Sequence, residues 1–328
     1  MGIRGGIDLG GTKVQAIVFD TATESVLGQA RRPTPAQGGP PAVLDTLVEA
    51  LEAAGADAGR HVGELAGMGV GCPGQVDADA GTLARAGNLS DWQGPFALGA
   101  ALTERTGLPV RLGNDVDVAT QAEFQLGAGR SAGSLLGVFW GTGVGGGLIL
   151  DGQPWRGRGA AGEIGHMVVR RGGPRCPCGR RGCLEAYAGR RAMELRARRK
   201  VQRGTDSELF DIMQERGRSS LSSGVWARAL DRGDHLAHAL ITRAVKALGA
   251  GVASAVNLLD VELVVIGGGL GVRFGAPMVD RIAAAMEPHL FSDERPPEVR
   301  VAELGDLGGA IGAALLSERH PSSGPQGR

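Results

Sequence analysis

Cys176-Pro-Cys178-Gly-Arg-Arg-Gly-Cys183-Leu-Glu185 sets three thiols within eight residues, and Glu163-Ile-Gly-His166 places an imidazole ten positions before the first of them. Three cysteines and a histidine are a complete ligand set for a closed, tetrahedral structural zinc site, and the glycines let the loop wrap an ion. The competing reading is free core cysteines, but a loop of arginine and glycine is poor core. With His166, Cys176, Cys178 and Cys183 filling all four positions, no place remains for a metal-bound water. Zn²⁺ is therefore expected to shape the site: it would fix His166 and hence the neighbouring Glu163, while Glu185 is held by the far end of the loop. Cys72 stands apart and reads as a buried thiol.

Two glycine turns could do a second kind of chemistry. Gly10-Gly11-Thr12-Lys13 and Gly141-Thr142-Gly143 each lie between two strand-like segments, and Thr142 follows Thr12 by 130 positions. Glycines let a backbone approach phosphate oxygens closely, and successive N–H groups make an anion-binding concavity. The run Gly141-Thr-Gly-Val-Gly-Gly satisfies G-x-G-x-x-G literally, but a strand and not a helix follows it, so it is no dinucleotide fingerprint. A Walker A loop is excluded because the chain has no Gly-Lys dipeptide. Either turn alone could be an ordinary hairpin. Duplicated at matching places, with amides and threonine hydroxyls that could face each other across a cleft, they favour phosphate binding.

Asn114-Asp115 ends a strand and opens a helix. The plain reading is a helix cap, for which both residues suit. The functional one is a carboxylate at the carboxyl edge of a sheet, where open α/β sheets bind ligands.

The elements that would position these groups alternate. Residues 3–8 and Val14–Phe19 read as strands, Ala42–Ala54 as a helix, Leu65–Gly71 as a strand closed by Cys72-Pro-Gly74, Ala97–Thr106 as a helix, Val110–Leu112 as a strand, and the stretch through Leu126 as a helix. The second half begins likewise: Leu135–Trp140, the glycine turn, and Gly147–Leu150 repeat the opening unit. Leu263–Ile266 runs into Gly267-Gly268-Gly269, echoing the strand that ends at Gly71. A long helix is expected over Leu236–Leu259, a last one over Ala310–Leu316, and a polar, disordered tail over Pro321–Arg328. One α/β unit is used twice, with extra material at 153–235 in the second copy.

Composition excludes several classes. Glycine fills 57 of 328 positions, more than twice the ordinary share of about 7%, but without a collagen period. A hydrophobic content of 42% argues against disorder. Basic and acidic residues balance at 35 each, which rules out a uniformly basic nucleic-acid binder. The one strong local excess runs from Arg156 to Arg203, with 14 Lys/Arg against Glu163, Glu185 and Glu194; a solvated basic face is the plain reading and a polyanion surface the sharper one. Ser131–Leu150 carries no charge over 20 residues, the length of a membrane span, but its seven glycines favour two strands. Charge and a strand-like segment begin by residue 8, so no signal peptide is expected. Closely spaced, unpairable cysteines fit a reducing, cytoplasmic setting.

Taken together these motifs resemble the ROK family (repressors, open reading frames and sugar kinases) of the actin-like ATPase superfamily, over nearly the whole chain. Asp8-Leu-Gly-Gly-Thr-Lys13 resembles the family's first phosphate motif, Gly141–Gly146 its second, and Ile266–Gly269 its adenosine-side motif. Glu163-x-x-His166 with the cysteine run through Glu185 is similar to the family's zinc and sugar signature. Asn114 and Asp115 match the sugar-binding asparagine and catalytic aspartate, Asn88 the asparagine ahead of a tryptophan (here Trp92), and Gly74 the sugar-facing turn. Asp117 departs from the pattern as a second nearby carboxylate, and residues 198–224 lie outside the motifs.

The resemblance implies a duplicated actin-like (ribonuclease H-like) α/β fold with two domains around a central cleft: 1–117, a larger 118–305 carrying the zinc insertion, and a final segment 306–328 returning to the first. It implies ATP and Mg²⁺ at Asp8, Gly10, Gly11, Thr12, Lys13, Gly141, Thr142, Gly143, Gly268 and Gly269. The sugar contacts would be Gly74, Asn88, Asn114, Asp115, Glu163, His166 and Glu185, with Asp115 the general base toward the 6-hydroxyl. The implied activity is that of an ATP-dependent hexose kinase of the bacterial glucokinase type, in a homodimer or homotetramer. N-acetylmannosamine or N-acetylglucosamine as acceptor, or polyphosphate as donor, would use the same motifs. The alternative of another class is a sugar-responsive regulator of the family, which would need a DNA-binding helix-turn-helix. Here the phosphate motif starts at Asp8, and the basic zinc segment is the remaining candidate. Nucleic acid is therefore not an expected partner, and neither is a membrane.

Overall fold

A computed structural model describes residues 2–292 and 294–318, so the tail expected at 321–328 lies outside the described residues. The chain divides into two compact units, one of Met1–Leu126 with Leu307–Arg328 and the other of Gly127–Asp306.

In the first unit, β1 (Ile3–Leu9), β2 (Lys13–Asp20) and β3 (Ser25–Pro33) form an antiparallel meander, followed by α1 (Gly39–Asp57) and β4 (Met68–Cys72). A small hairpin, β5 (Gln75–Asp77) and β6 (Thr82–Ala84), leads to α2 (Leu98–Thr106), β7 (Val110–Asn114) and α3 (Asp115–Leu126). The sheet order is β3-β2-β1-β4-β7, with β4 parallel to both β1 and β7. Central parallel strands are covered on both faces and read as unbroken apolar runs; β4 is Met-Gly-Val-Gly-Cys, buried at every position. Their carboxyl ends gather the chemistry. Asp8 pairs with Gly71 and Cys72 with Asn114.

The second unit repeats the plan. β8 (Leu135–Trp140), β9 (Val144–Leu150) and β10 (Gln153–Pro154) precede α4 (Glu185–Ala188), α5 (Arg190–Val201), α6 (Leu209–Glu215), α7 (Ser223–Asp231) and α8 (His235–Leu259). β11 (Leu263–Gly267), α9 (Gly268–Phe274), α10 (Ala276–Met286) and β12 (Glu298–Val301) follow. The order β10-β9-β8-β11-β12 carries the same sequence of antiparallel and parallel pairings as the first sheet. The uncharged 131–150 stretch is the β8–β9 hairpin. Among the described residues, the helix long and apolar enough to cross a membrane by length and composition is α8, and 67% of its apolar window is buried inside the fold. Leu240, Ala244, Leu248, Gly251 and Ala255 all face that interior.

Asp234 ties the inserted helices to α8. Its Oδ1 accepts the Ala237 N–H at 2.7 Å, while Oδ2 accepts the Ser207 hydroxyl at 2.9 Å and the Glu208 N–H at 2.7 Å. Removing a cap together with charge-assisted bonds costs about 2–4 kcal/mol. Asp234→Ala is expected to lower the urea midpoint of unfolding by that equivalent, and Asp234→Asn by roughly half.

Gly267-Gly268-Gly269 joins β11 directly to a helix. Gly267 caps, and Gly268 at φ +78° begins, the helix α9. A Cβ on Gly268 would stand 2.7 Å from the Trp140 carbonyl oxygen, and one on Gly141 3.7 Å from the Gly269 nitrogen. The glycines thus seat the start of α9 against the glycine turn after β8.

A last helix, α11 (Gly308–Leu316), belongs to the first unit. It lies against β1 and β4 on backbone: a Cβ on Gly69 would fall 1.9 Å from the Ala313 oxygen, and one on Gly6 2.1 Å from that of Ala310. Gly312 meets α3 in the same way, with a Cβ 1.9 Å from the Val118 oxygen. This packing explains why the unit runs to Leu126, where the sequence suggested a division at 117. Helix α3 is gripped by α11 and belongs with the first sheet.

Candidate active site and metal centre

Both glycine turns are built alike. The Gly10 N–H donates to the Lys13 carbonyl at 2.9 Å, and the Gly141 N–H to the Gly143 carbonyl at 3.0 Å. Among the described residues, the next two N–H groups of each turn, Gly11 and Thr12 in one and Thr142 and Gly143 in the other, donate to nothing. Unpartnered adjacent amides are an anion cradle. In the first turn a Cβ on Gly11 would stand 2.9 Å from the Asn88 oxygen, so the loop bearing Asn88 presses on that turn and requires glycine there. Thr12 and Asn88 are exposed and Lys13 half-buried.

At the carboxyl edge of the first sheet, Asn114 is the helix cap that its type suggests. Its Oδ1 accepts the N–H groups of Val116 at 3.0 Å and Asp117 at 3.3 Å, while Nδ2 reaches toward the Gly74 carbonyl at 3.5 Å. Gly74 sits at φ +89° with backbone on its Cβ side, so only glycine fits. Asp115 accepts the Val116 N–H at 2.9 Å. Although part of the residue reaches solvent, the packing around its carboxyl raises its pKa to about 7: burial is the largest cause and the Asp8 carboxylate the next. A carboxylate held near neutrality is matched to a general base. Asp8 sits on β1, with a Cβ on Gly309 projected 2.8 Å from its carboxyl carbon. Cys72 is wholly buried beneath this pair, and burial followed by the two carboxylates suppresses its ionisation.

In the second unit the four expected metal ligands converge. One ligand atom from each of His166, Cys176, Cys178 and Cys183 lies within 4.8 Å of the others. The His166 Nδ1–Cys176 Sγ distance is 3.6 Å and Cys178 Sγ–Cys183 Sγ is 3.7 Å, close to the edge of about 3.8 Å of a tetrahedron with 2.3 Å bonds. Burial pushes the Cys176 thiol up to about 12; a bound metal cation would be what stabilises its thiolate. The donor set fits Zn²⁺. His166 presents Nδ1 to the thiols and Nε2 toward Glu163 Oε2, at 3.9 Å. One ring can therefore serve both the metal and a second partner.

The segment leaving the metal loop is fastened to the second glycine turn. Glu185 Oε2 accepts the Val144 N–H at 3.1 Å, and a Cβ on Gly143 would collide with that oxygen. Trp140 Nε1 donates to the Ala188 carbonyl at 2.7 Å. The N–H groups of Arg190 and Arg191 donate to the carbonyls of Gly141 and Thr142 at 3.0 and 3.1 Å. Arg190 Nη2 also reaches the Thr142 hydroxyl at 2.9 Å. Glu185, expected as a sugar contact, braces the turn in the structure. The sequence reading missed Trp140 and Arg190; Arg190 was absorbed in the basic run, although its position five residues after Glu185 at a helix start was a usable signal.

Two copies of one sheet order, each with a glycine turn after its first strand, define the actin-like ATPase fold. Within that class the chain belongs to the ROK family, whose family model matches residues 4–320. A glucokinase from Halalkalibacterium halodurans is 32% identical over 325 residues, 98% of this chain and 97% of that protein. An N-acetyl-D-glucosamine kinase from Salmonella dublin is 32% identical over 322 residues, covering 95% and 98%. Among solved structures, a ROK family glucokinase from Streptomyces griseus in complex with glucose and AMPPNP superposes with a TM-score of 0.84 at 30% identity, over 97% of this chain and 100% of that one.

Proposed function

We propose that the chain phosphorylates the 6-hydroxyl of a hexose, glucose foremost, with ATP as donor. The observation that carries this reading is Asp115, a carboxylate raised toward neutrality at the carboxyl edge of the first sheet, in a chain bearing two unpartnered amide turns. Asp115 takes the proton of the 6-hydroxyl as the γ-phosphoryl group transfers in line. On this reading Gly74, Asn88, Asn114, Glu163, His166 and Glu185 bind further hydroxyls of the sugar. The amides of Gly11, Thr12, Thr142 and Gly143, with Lys13, hold the phosphates, and Gly268 and Gly269 bind the adenosine. Mg²⁺, which neutralises donor phosphate charge when bound, would be held near Asp8. Phosphoryl transfer needs mainly positioning and charge neutralisation, so one base and two cradles suffice. Zn²⁺ bound by His166, Cys176, Cys178 and Cys183 supplies rigidity to His166 and Glu185.

An ATP-coupled assay over glucose, mannose, N-acetylglucosamine and N-acetylmannosamine tests this. Glucose is expected to give the highest kcat/KM. A preference of about tenfold or more for an N-acetylhexosamine would transfer the assignment to that acceptor, and turnover with polyphosphate but not ATP would overturn the donor. A homodimer or homotetramer in light scattering is the assembly this reading carries.

A further inference from the structure

The second glycine turn has a cation beside it that the scheme above leaves unused. Arg190 opens α5 with its guanidinium on the turn: Nη2 donates to the Thr142 hydroxyl at 2.9 Å and Nη1 to the Leu221 carbonyl at 3.1 Å. Both partners are neutral. Among the described residues no carboxylate forms an ion pair with Arg190, and the one acidic group that acts on it electrostatically, Glu194, is committed elsewhere. Glu194 Oε1 pairs with Arg198 at 2.7 Å, and its Oε2 accepts the Leu221 N–H at 3.0 Å. Burial lowers the pKa of Arg190, the mark of a desolvated cation without its anion. Next to it lie two amides, Thr142 and Gly143, with no acceptor. A half-buried guanidinium, two open N–H groups and a hydroxyl at one turn form a site for an anion with several oxygens, and a guanidinium fork matches phosphate.

We propose that Arg190 binds the terminal phosphates of the nucleotide donor, completing the cradle of the Gly141–Gly143 turn and neutralising charge on the transferring and bridging oxygens. This deepens the kinase reading and rests on it for the identity of the donor. Arg190 is then a phosphate ligand, and its bond to Thr142 orders the turn before the nucleotide arrives.

Calorimetric titration of the full chain with Mg-ADP and, separately, with adenosine tests the assignment without any sugar. Arg190→Gln keeps an amide donor and removes the charge; Arg190→Lys keeps the charge and loses the fork. The Gln variant is expected to weaken Mg-ADP binding about 10- to 100-fold while adenosine affinity stays within about twofold. The Lys variant is expected to recover most of the loss. In the coupled assay the Gln variant raises KM for ATP and leaves KM for the sugar unchanged. Equal losses for ADP and adenosine would make Arg190 only a prop for the turn and overturn the proposal, as would unchanged ADP affinity in the Gln variant. If the Gln variant does not fold, the Lys variant decides: ADP affinity near that of the parent, with an adenosine control unchanged, supports a charge contact, and equal losses for both ligands overturn it. A parent chain that binds ADP but phosphorylates no hexose refutes the sugar-kinase reading and leaves this assignment standing; one that binds no nucleotide refutes both.

Discussion

Replacing Asp115 with asparagine lowers kcat by about 10²- to 10⁴-fold while the fold and nucleotide binding survive. The expectation follows from position and charge together. Asp115 starts α3 at the end of β7, and its pKa of about 7 arises first from burial and then from Asp8. In the parent, kcat/KM falls about tenfold for each pH unit below about 7, as the base takes up its proton. Stability moves the opposite way. A carboxyl whose folded pKa is raised above the ordinary 3.8 favours the folded state most fully below about pH 4, and that contribution is lost as pH rises through about 7. Asparagine has no such loss, so the variant melts above the parent at about pH 8, and the gap narrows as pH falls. Near-parental turnover in the variant, or a melting temperature that drops at about pH 8, would remove Asp115 from the role of base.

Changing Cys178 to serine, or stripping the metal with a chelator, lowers kcat/KM for the sugar by at least about 100-fold. Elemental analysis of the parent is expected to give about one zinc per chain, and of the variant close to none. The effect extends past the sugar. Glu185 holds the Val144 N–H, and Trp140 is bonded to Ala188, so loss of order in the metal loop releases the second glycine turn as well. KM for ATP therefore rises along with KM for the sugar. A metal-free preparation with full activity would refute the role assigned to the centre, and an effect confined to the sugar would refute the coupling.

Much of the site was legible because its groups are contiguous in the chain. The metal ligands fall within two short segments, and each glycine turn is a single hairpin, so spacing alone brings their atoms together. The duplication was legible for the same reason, since strand, turn and strand recur in order. What escaped depends on contacts between segments. Asn114 reads in sequence as cap or ligand, and in the structure its Oδ1 caps α3 while Nδ2 reaches toward the Gly74 carbonyl. Arg190 was one arginine in a basic run; Thr142, 48 residues away, gives it meaning. The division at 126 was not visible because it rests on Gly312 against Val118, a backbone approach that leaves no hydrophobic pattern to read.

The return of α11 to the first unit has a consequence for biosynthesis. Residues Gly127–Asp306 are continuous, so the second unit has all of its strands and helices before α11 is translated. The first unit, though synthesised first, must wait with Gly6 and Gly69 uncovered until residue 316 has left the ribosome. Domains ordinarily mature in the order in which they emerge; here the later one finishes first. In the interval the face of β1 and β4 that α11 covers stays bare, so the first sheet is completed only by the last helix of the chain.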